Sequence, residues 1–162
     1  MAKVKKINHI AIAVQDIDNA RIFWEDALGM KIDHVEEVPE QKARVGFLPL
    51  AGGEIELVQP TDEESGTAKF LHERGGGIHH ICLEVDDIEG MLKELSAKRV
   101  RLINEKPVEL EGRKMAFIHP KSANGVLVEL YELLSNPIRY IRLTKKLNSA
   151  PYSRDEFKLR CS

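Results

Sequence analysis

Residues 7–17 read INHIAIAVQDI, and residues 78–88 read IHHICLEVDDI. The second stretch repeats the first at a constant offset of 71, without a gap. Ile7, His9, Ile10, Val14, Asp16 and Ile17 recur as Ile78, His80, Ile81, Val85, Asp87 and Ile88, six identities in eleven positions. Agreement of that density at a fixed period marks a duplicated structural unit. Each copy is rich in β-branched and apolar residues, which suits a strand, and each ends in an aspartate able to cap a helix.

Outward from the repeat, the two halves keep step. After Asp16, the residues Ile17, Ala20, Phe23, Trp24, Ala27 and Leu28 fall on one helical face, and Gly29 supplies a stop. After Asp87, Ile88, Met91, Leu92 and Leu95 follow the same period. Residues 45–60 and 115–132 each read as two strands joined by a turn, the second turn being longer. A further strand is expected in each half, around 31–37 and 101–106. The expected fold is therefore α+β: two tandem βαβββ modules whose mixed sheets form a metal-containing cavity. The modules occupy 1–60 and 78–132. A linker helix over 65–74, stopped by the glycines at 75–77, lies in the connecting segment 61–77. Residues 133–162 form a basic extension, expected to be loosely ordered with one short helix near 137–147.

Alternation along the strands selects candidate functional residues. His9, Ala11 and Ala13 share one face of the first strand, while Ile10, Ile12 and Val14 line the other, the expected core face. His80 and Cys82 share a face in the second copy, opposite Ile81, Leu83 and Val85. In the closing strands Glu56 stands opposite Ile55 and Leu57, and Glu129 opposite Val128 and Leu130. The separation is 47 positions from His9 to Glu56 and 49 from His80 to Glu129, the difference falling in the longer turn. A lone histidine in such a strand is ordinarily a hydrogen-bonded core residue. Two histidines and two glutamates repeating in register instead point to a shared cation. Two imidazoles and two carboxylates suit Co, Mn, Zn, Ni or Fe, with positions left for substrate or water. His79 should face away from this group. His34 and His72 read as surface residues, and His119 belongs to a loop.

Composition narrows the remaining classes. The chain has 162 residues, 43% of them hydrophobic, and a formal net charge of -2. Nothing resembles a nucleic-acid footprint, a membrane span or a signal peptide. A soluble, cytoplasmic protein is the expectation. The two cysteines, Cys82 and Cys161, lack metal-site spacing, and Cys82 reads as a buried thiol.

Four stretches carry a family resemblance: INHIAIAV at the start, EEVPEQ at 36–41, GIHHICLEVDDI at 77–88 and FIHPKSANGVLVEL at 117–130. Over about residues 5–132 the chain resembles the methylmalonyl-CoA epimerases of the glyoxalase/vicinal oxygen chelate superfamily. The resemblance implies interconversion of (2R)- and (2S)-methylmalonyl-CoA by proton abstraction through a metal-stabilised enolate. It implies an acyl-CoA substrate, a homodimer, and a divalent ion with cobalt as the leading candidate. It carries ligand roles onto His9, His80 and Glu129, with Glu56 where some relatives have glutamine. Glu129 and Glu56 become the candidate acid/base pair. Val45 stands where some relatives carry a glutamate and cannot move protons, so the second base stays open. Lys121 and Ser122 are candidates for holding CoA, with Lys114 less favoured. The competing enzymes are a lactoylglutathione lyase (glyoxalase I) and an iron(II) extradiol dioxygenase. The competing non-enzyme is a drug-sequestering binding protein of the same architecture.

Overall fold

The structure, a computed structural model, describes residues 1–110 and 112–134. Most of the basic extension, with its expected helix near 137–147, lies outside the described residues. Among the described residues there are eight strands and three α-helices. Strand β1 (Val4–Ala13) leads to α1 (Ile17–Arg21), β2 (His34–Val38), β3 (Ala43–Leu50) and β4 (Gly53–Pro60). Helix α2 (Gly66–Arg74) connects to β5 (Gly77–Val85), then α3 (Ile88–Ala97), β6 (Val108–Leu110), β7 (Arg113–Ile118) and β8 (Leu127–Leu133). All strands join one mixed sheet in the order β2-β3-β4-β1-β5-β8-β7-β6. The order reads alike outward from the β1/β5 seam, where the two duplicated strands pair antiparallel. Each first strand also pairs parallel with the last strand of its own half, β1 with β4 and β5 with β8. The duplication thus becomes an approximate twofold relation about the seam.

The helix starts follow the sequence signals. Asp16 accepts a hydrogen bond from the Asn19 amide at 2.7 Å, and Asp87 accepts one from Gly90 at 2.8 Å. These caps satisfy amides that the first helical turn leaves without partners. Ser65 caps α2 in the same way, and Gly75 ends it at φ +76, a conformation with little steric cost only for glycine.

Two elements differ from the expectation. The helix after Asp16 is α-helical only to Arg21 and then widens into a π-helical segment, Ile22–Ala27. There the amide of Leu28 reaches back five residues to Phe23. The wider turn shifts the helix phase. Ile17, Ala20 and Trp24 stay against the sheet, whereas Phe23 and Leu28 are 57% and 55% exposed. In the second half, 101–106 is not a strand. Leu102 makes an isolated bridge to Ile118, and the regular ladder resumes at Val108. Pro107 has no amide hydrogen to give a ladder, and the Asn104 side chain takes over part of it by accepting from the Phe117 amide at 2.9 Å.

Packing on the two faces also departs from the simple alternation. Ile17, Leu48 and Leu57, with Ile12 and Trp24 against them, form one core under α1. Val85, Ile88, Leu92, Ala116, Ile118 and Leu130 form its counterpart under α3. The opposite face, which carries the histidines, is no less buried. Ala11 and Cys82 are fully enclosed there, and Ala11, Ala43, Val45 and Val58 make a third apolar cluster. The sheet is covered on both sides at the seam, so the polar side chains placed there lose water.

Candidate active site

Small residues at the seam let four strands bring long polar side chains together. His9 on β1 lies opposite Cys82 on β5, and Cys82 lies opposite Glu129 on β8. His9, His80 and Glu129 are all buried. Their atoms converge: His9 Nε2 is 3.1 Å from His80 Nε2, His80 Nε2 is 3.0 Å from Glu129 Oε2, and His9 Nε2 is 3.4 Å from the same oxygen. Ligands about 2.1 Å from one ion and at right angles lie about 3.0 Å apart. The spacing therefore fits donors around a single divalent cation, and the donor set suits one. Cys82 falls in the same group, since its sulfur lies within 4.8 Å of ligand atoms of His9 and Glu129. Burial, then the Glu129 and Glu56 charges, push its thiol far above the ordinary range. The distances at His80 Nε2, 3.1 and 3.0 Å, are those expected between ligands of one ion, and they set His80 beside His9 and Glu129 as a candidate donor along with Cys82.

Glu56 meets the group from another side. Its Oε1 is 3.2 Å from Nδ1 of His9, not among the converging Nε2 atoms. Burial raises its pKa to about 7, with the Glu129 charge adding to the rise and His9 opposing it. Glu129 goes the other way. Burial works against its charge, but hydrogen bonds to His80 and His9 outweigh that and hold it at about 2. Burial also opposes charge on His9, and the Glu129 hydrogen bond with the Glu56 charge overcomes it to raise the pKa.

The other expected residues are scattered. Val45 is buried in the third apolar cluster and offers no proton carrier. Ser122 uses its hydroxyl to accept from the Arg101 amide at 2.9 Å, and Lys121 donates its amide to His119 Nδ1 at 3.1 Å. The 120–122 turn thus ties loops together. Lys114 pairs with Glu89 at 2.6 Å on the outer side of α3. His34 and His72 are exposed, as expected. His79 does not face away from the group: its Nδ1 lies 3.0 Å from Nδ1 of His80. Burial and the nearby His80 lower its pKa to about 4.

Residues that alternation did not single out shape the approach. A cavity of about 250 Å³ is lined by Glu40, Gln41, Asn104, Val108, Leu110, Met115 and Phe117. Phe117 links it to the centre, with its ring edge-on to His80 at 5.7 Å. Arg113, on the same β7 face as Met115 and Phe117, hydrogen-bonds Tyr131 and places positive charge near Glu129 and Glu56. The period-two pattern Arg113, Met115, Phe117 was the available signal. Its meaning depends on which way β7 faces.

Comparison with known proteins agrees with the fold. Residues 8–117 match the family model described as Glyoxalase/Bleomycin resistance protein/Dioxygenase superfamily. The chain is 38% identical over 130 residues to the mitochondrial methylmalonyl-CoA epimerase of Mus musculus, covering 79% of this chain and 73% of that one. It is 39% identical over 134 residues to the ethylmalonyl-CoA/methylmalonyl-CoA epimerase of Cereibacter sphaeroides, covering 80% and 99%. Among solved structures, a Streptomyces coelicolor methylmalonyl-CoA epimerase variant in complex with 2-nitronate-propionyl-CoA superposes with a TM-score of 0.75 at 30% identity, covering 82% and 97%.

Proposed function

We propose that this chain, which belongs to the glyoxalase/bleomycin resistance protein/dioxygenase superfamily, is a metal-dependent epimerase of methylmalonyl-CoA. The observation that carries the reading is the convergence of His9 Nε2, His80 Nε2 and Glu129 Oε2 on one buried point beside a carboxylate poised near neutrality. His9, His80 and Glu129 would hold the ion, with cobalt first among Co, Mn, Zn and Ni. When bound, a divalent cation supplies positive charge for the negative charge that develops on the thioester oxygen.

The protein's own groups handle the proton. The hydrogen to be moved lies between a thioester and a carboxylate, so its loss leaves a delocalised anion. Glu56, with a pKa of about 7, suits a general base working near that pH. We therefore give it proton transfer rather than a fourth ligand position. Both imidazoles meet Glu129 through one oxygen, Oε2. Its other oxygen is assigned the exchange on the opposite face of the carbon. The two carboxylates come from β4 and β8, on opposite sides of the seam, as inversion at one carbon requires. The cavity beside Phe117 has room for a short branched acyl group, and the nucleotide part of the substrate would lie outside it.

The test is exchange in deuterated water. Metal-loaded protein is expected to place deuterium at C2 of methylmalonyl-CoA, with Glu56→Gln slower by roughly 10²- to 10⁴-fold. Exchange that survives chelation, or preferential turnover of the glutathione hemithioacetal, contradicts the proposal.

A further inference from the structure

The β1/β5 ladder is not regular. On β1, Ile7 lies opposite Leu83 and His9 opposite Cys82, so Asn8 is an extra residue. On β5, Ala11 lies opposite His80 and Ile12 opposite Ile78, so His79 is an extra residue. Asn8 and His79 occupy equivalent places in the 71-residue repeat, and each directly precedes a converging histidine. A β-bulge leaves one residue outside the ladder and re-aims its side chain. Regular alternation would have turned both side chains away. Instead Asn8 Oδ1 lies 3.0 Å from His9 Nδ1, and His79 Nδ1 lies 3.0 Å from His80 Nδ1.

We propose that Asn8 and His79 are paired positioning residues that accept the Nδ1 hydrogens of His9 and His80, so that both Nε2 lone pairs face the metal centre. This deepens the metal reading given above and rests on it. An amide oxygen carries no hydrogen, so a bond between Asn8 Oδ1 and His9 Nδ1 requires the hydrogen on His9. That leaves His9 Nε2 with its lone pair. For His80 to present the same lone pair, its own hydrogen must also sit on Nδ1, with His79 accepting and keeping its hydrogen on Nε2. Three lone pairs then meet at 3.1, 3.0 and 3.4 Å, an arrangement that only a cation makes favourable.

The two supports are unequal. Nδ1 of His9 has a second acceptor, Glu56 Oε1 at 3.2 Å, whereas His79 is the partner found at Nδ1 of His80. His79 is itself held from the linker helix. The Phe70 ring meets it edge-on at 5.1 Å, and the Arg74 guanidinium lies 5.5 Å from the Phe70 centroid. The orientation of His80 thus depends on α2, which joins the two halves.

The test uses the full chain with Co²⁺ as the probe, and reads binding rather than turnover. Outer partners of this kind change metal affinity by roughly 10- to 100-fold. His79→Leu is expected to weaken Co²⁺ binding by roughly that factor. Asn8→Leu should weaken it less, because Glu56 remains. His79→Asn, which supplies an amide oxygen as Asn8 does, should recover most of the loss. A His79→Leu protein that binds Co²⁺ as tightly as the parent overturns the proposal. Imidazole ¹⁵N spectra of the unsubstituted protein loaded with diamagnetic Zn²⁺ give a second readout, which does not depend on any variant folding. Hydrogens on Nδ1 of both His9 and His80 are expected, and a hydrogen on Nε2 of either ring overturns the assignment. If both rings carry Nδ1 hydrogens in the Zn²⁺-loaded protein but the metal-loaded protein places no deuterium in methylmalonyl-CoA, the functional proposal fails while the positioning roles stand.

Discussion

Glu56 and Glu129 are the same residue type in related strands, yet their surroundings drive them apart, to about 7 and about 2. The difference predicts how the metal-free protein responds to pH. Glu56 binds its proton more tightly when folded than when unfolded, where 4.5 applies. Its contribution to stability is complete below about 4.5 and is lost as pH rises through about 7, an effect on the order of 3 kcal/mol. The raised pKa of His9 acts in the same sense, its contribution disappearing as pH rises through the folded value. Glu129 acts oppositely, but only as pH falls from 4.5 toward 2. His79, which burial and His80 hold at about 4, acts against Glu56 as pH rises from about 4 to 6.5, so the comparison that isolates Glu56 is between the parent and Glu56→Gln. In urea unfolding with chelator present, the stability of the parent relative to Glu56→Gln should fall from pH 5 to pH 8. A difference that stays level or grows over that interval contradicts the assignment. At this scale His9, His80 and Glu129 were legible as a group, because duplication and alternation both pointed to them. His79 was not, because a bulge breaks the alternation on which its placement relied.

At the scale of elements, caps and cores follow local chemistry closely. Asp87 holds the start of α3 through the Gly90 amide, so Asp87→Ala should cost about 1 kcal/mol. Leu130, 2% exposed at the centre of the core under α3, should cost about 2–5 kcal/mol as Leu130→Ala. Denaturant titration separates the two, and equal losses would show that the α3 core is less tightly packed than described. The β1 and β5 strands, α3 and the two hairpins were legible from periodicity. The π-helical turn at Ile22–Ala27 was not, because one widened hydrogen bond shifts the phase of every residue after it. The place of β6 was also hidden. There Asn104 does with a side chain what a ladder does with backbone, and Pro107 delays the strand.

Across the whole molecule, the seam between β1 and β5 makes one site from two halves, and neither half holds a complete set. His9 comes from the first, and His80 and Glu129 come from the second. A ligand that binds only this assembled state must stabilise it, by about 2.7 kcal/mol at a concentration 100 times its Kd. Thermal unfolding with added Co²⁺ should rise accordingly, and His80→Ala should abolish the rise. The paired architecture could be read from the repeat. The unequal filling of the two sides could not, because it depends on how the sheet curls: Val45 and Val58 fill one side, while Met115 and Phe117 line a cavity on the other. The assembled centre can be observed directly by anomalous scattering from crystals grown with Co²⁺. One peak per chain is predicted, about 2.1 Å from His9 Nε2, His80 Nε2 and a Glu129 oxygen. Co²⁺ peaks confined to surface carboxylates, with these three side chains uncoordinated, would contradict it.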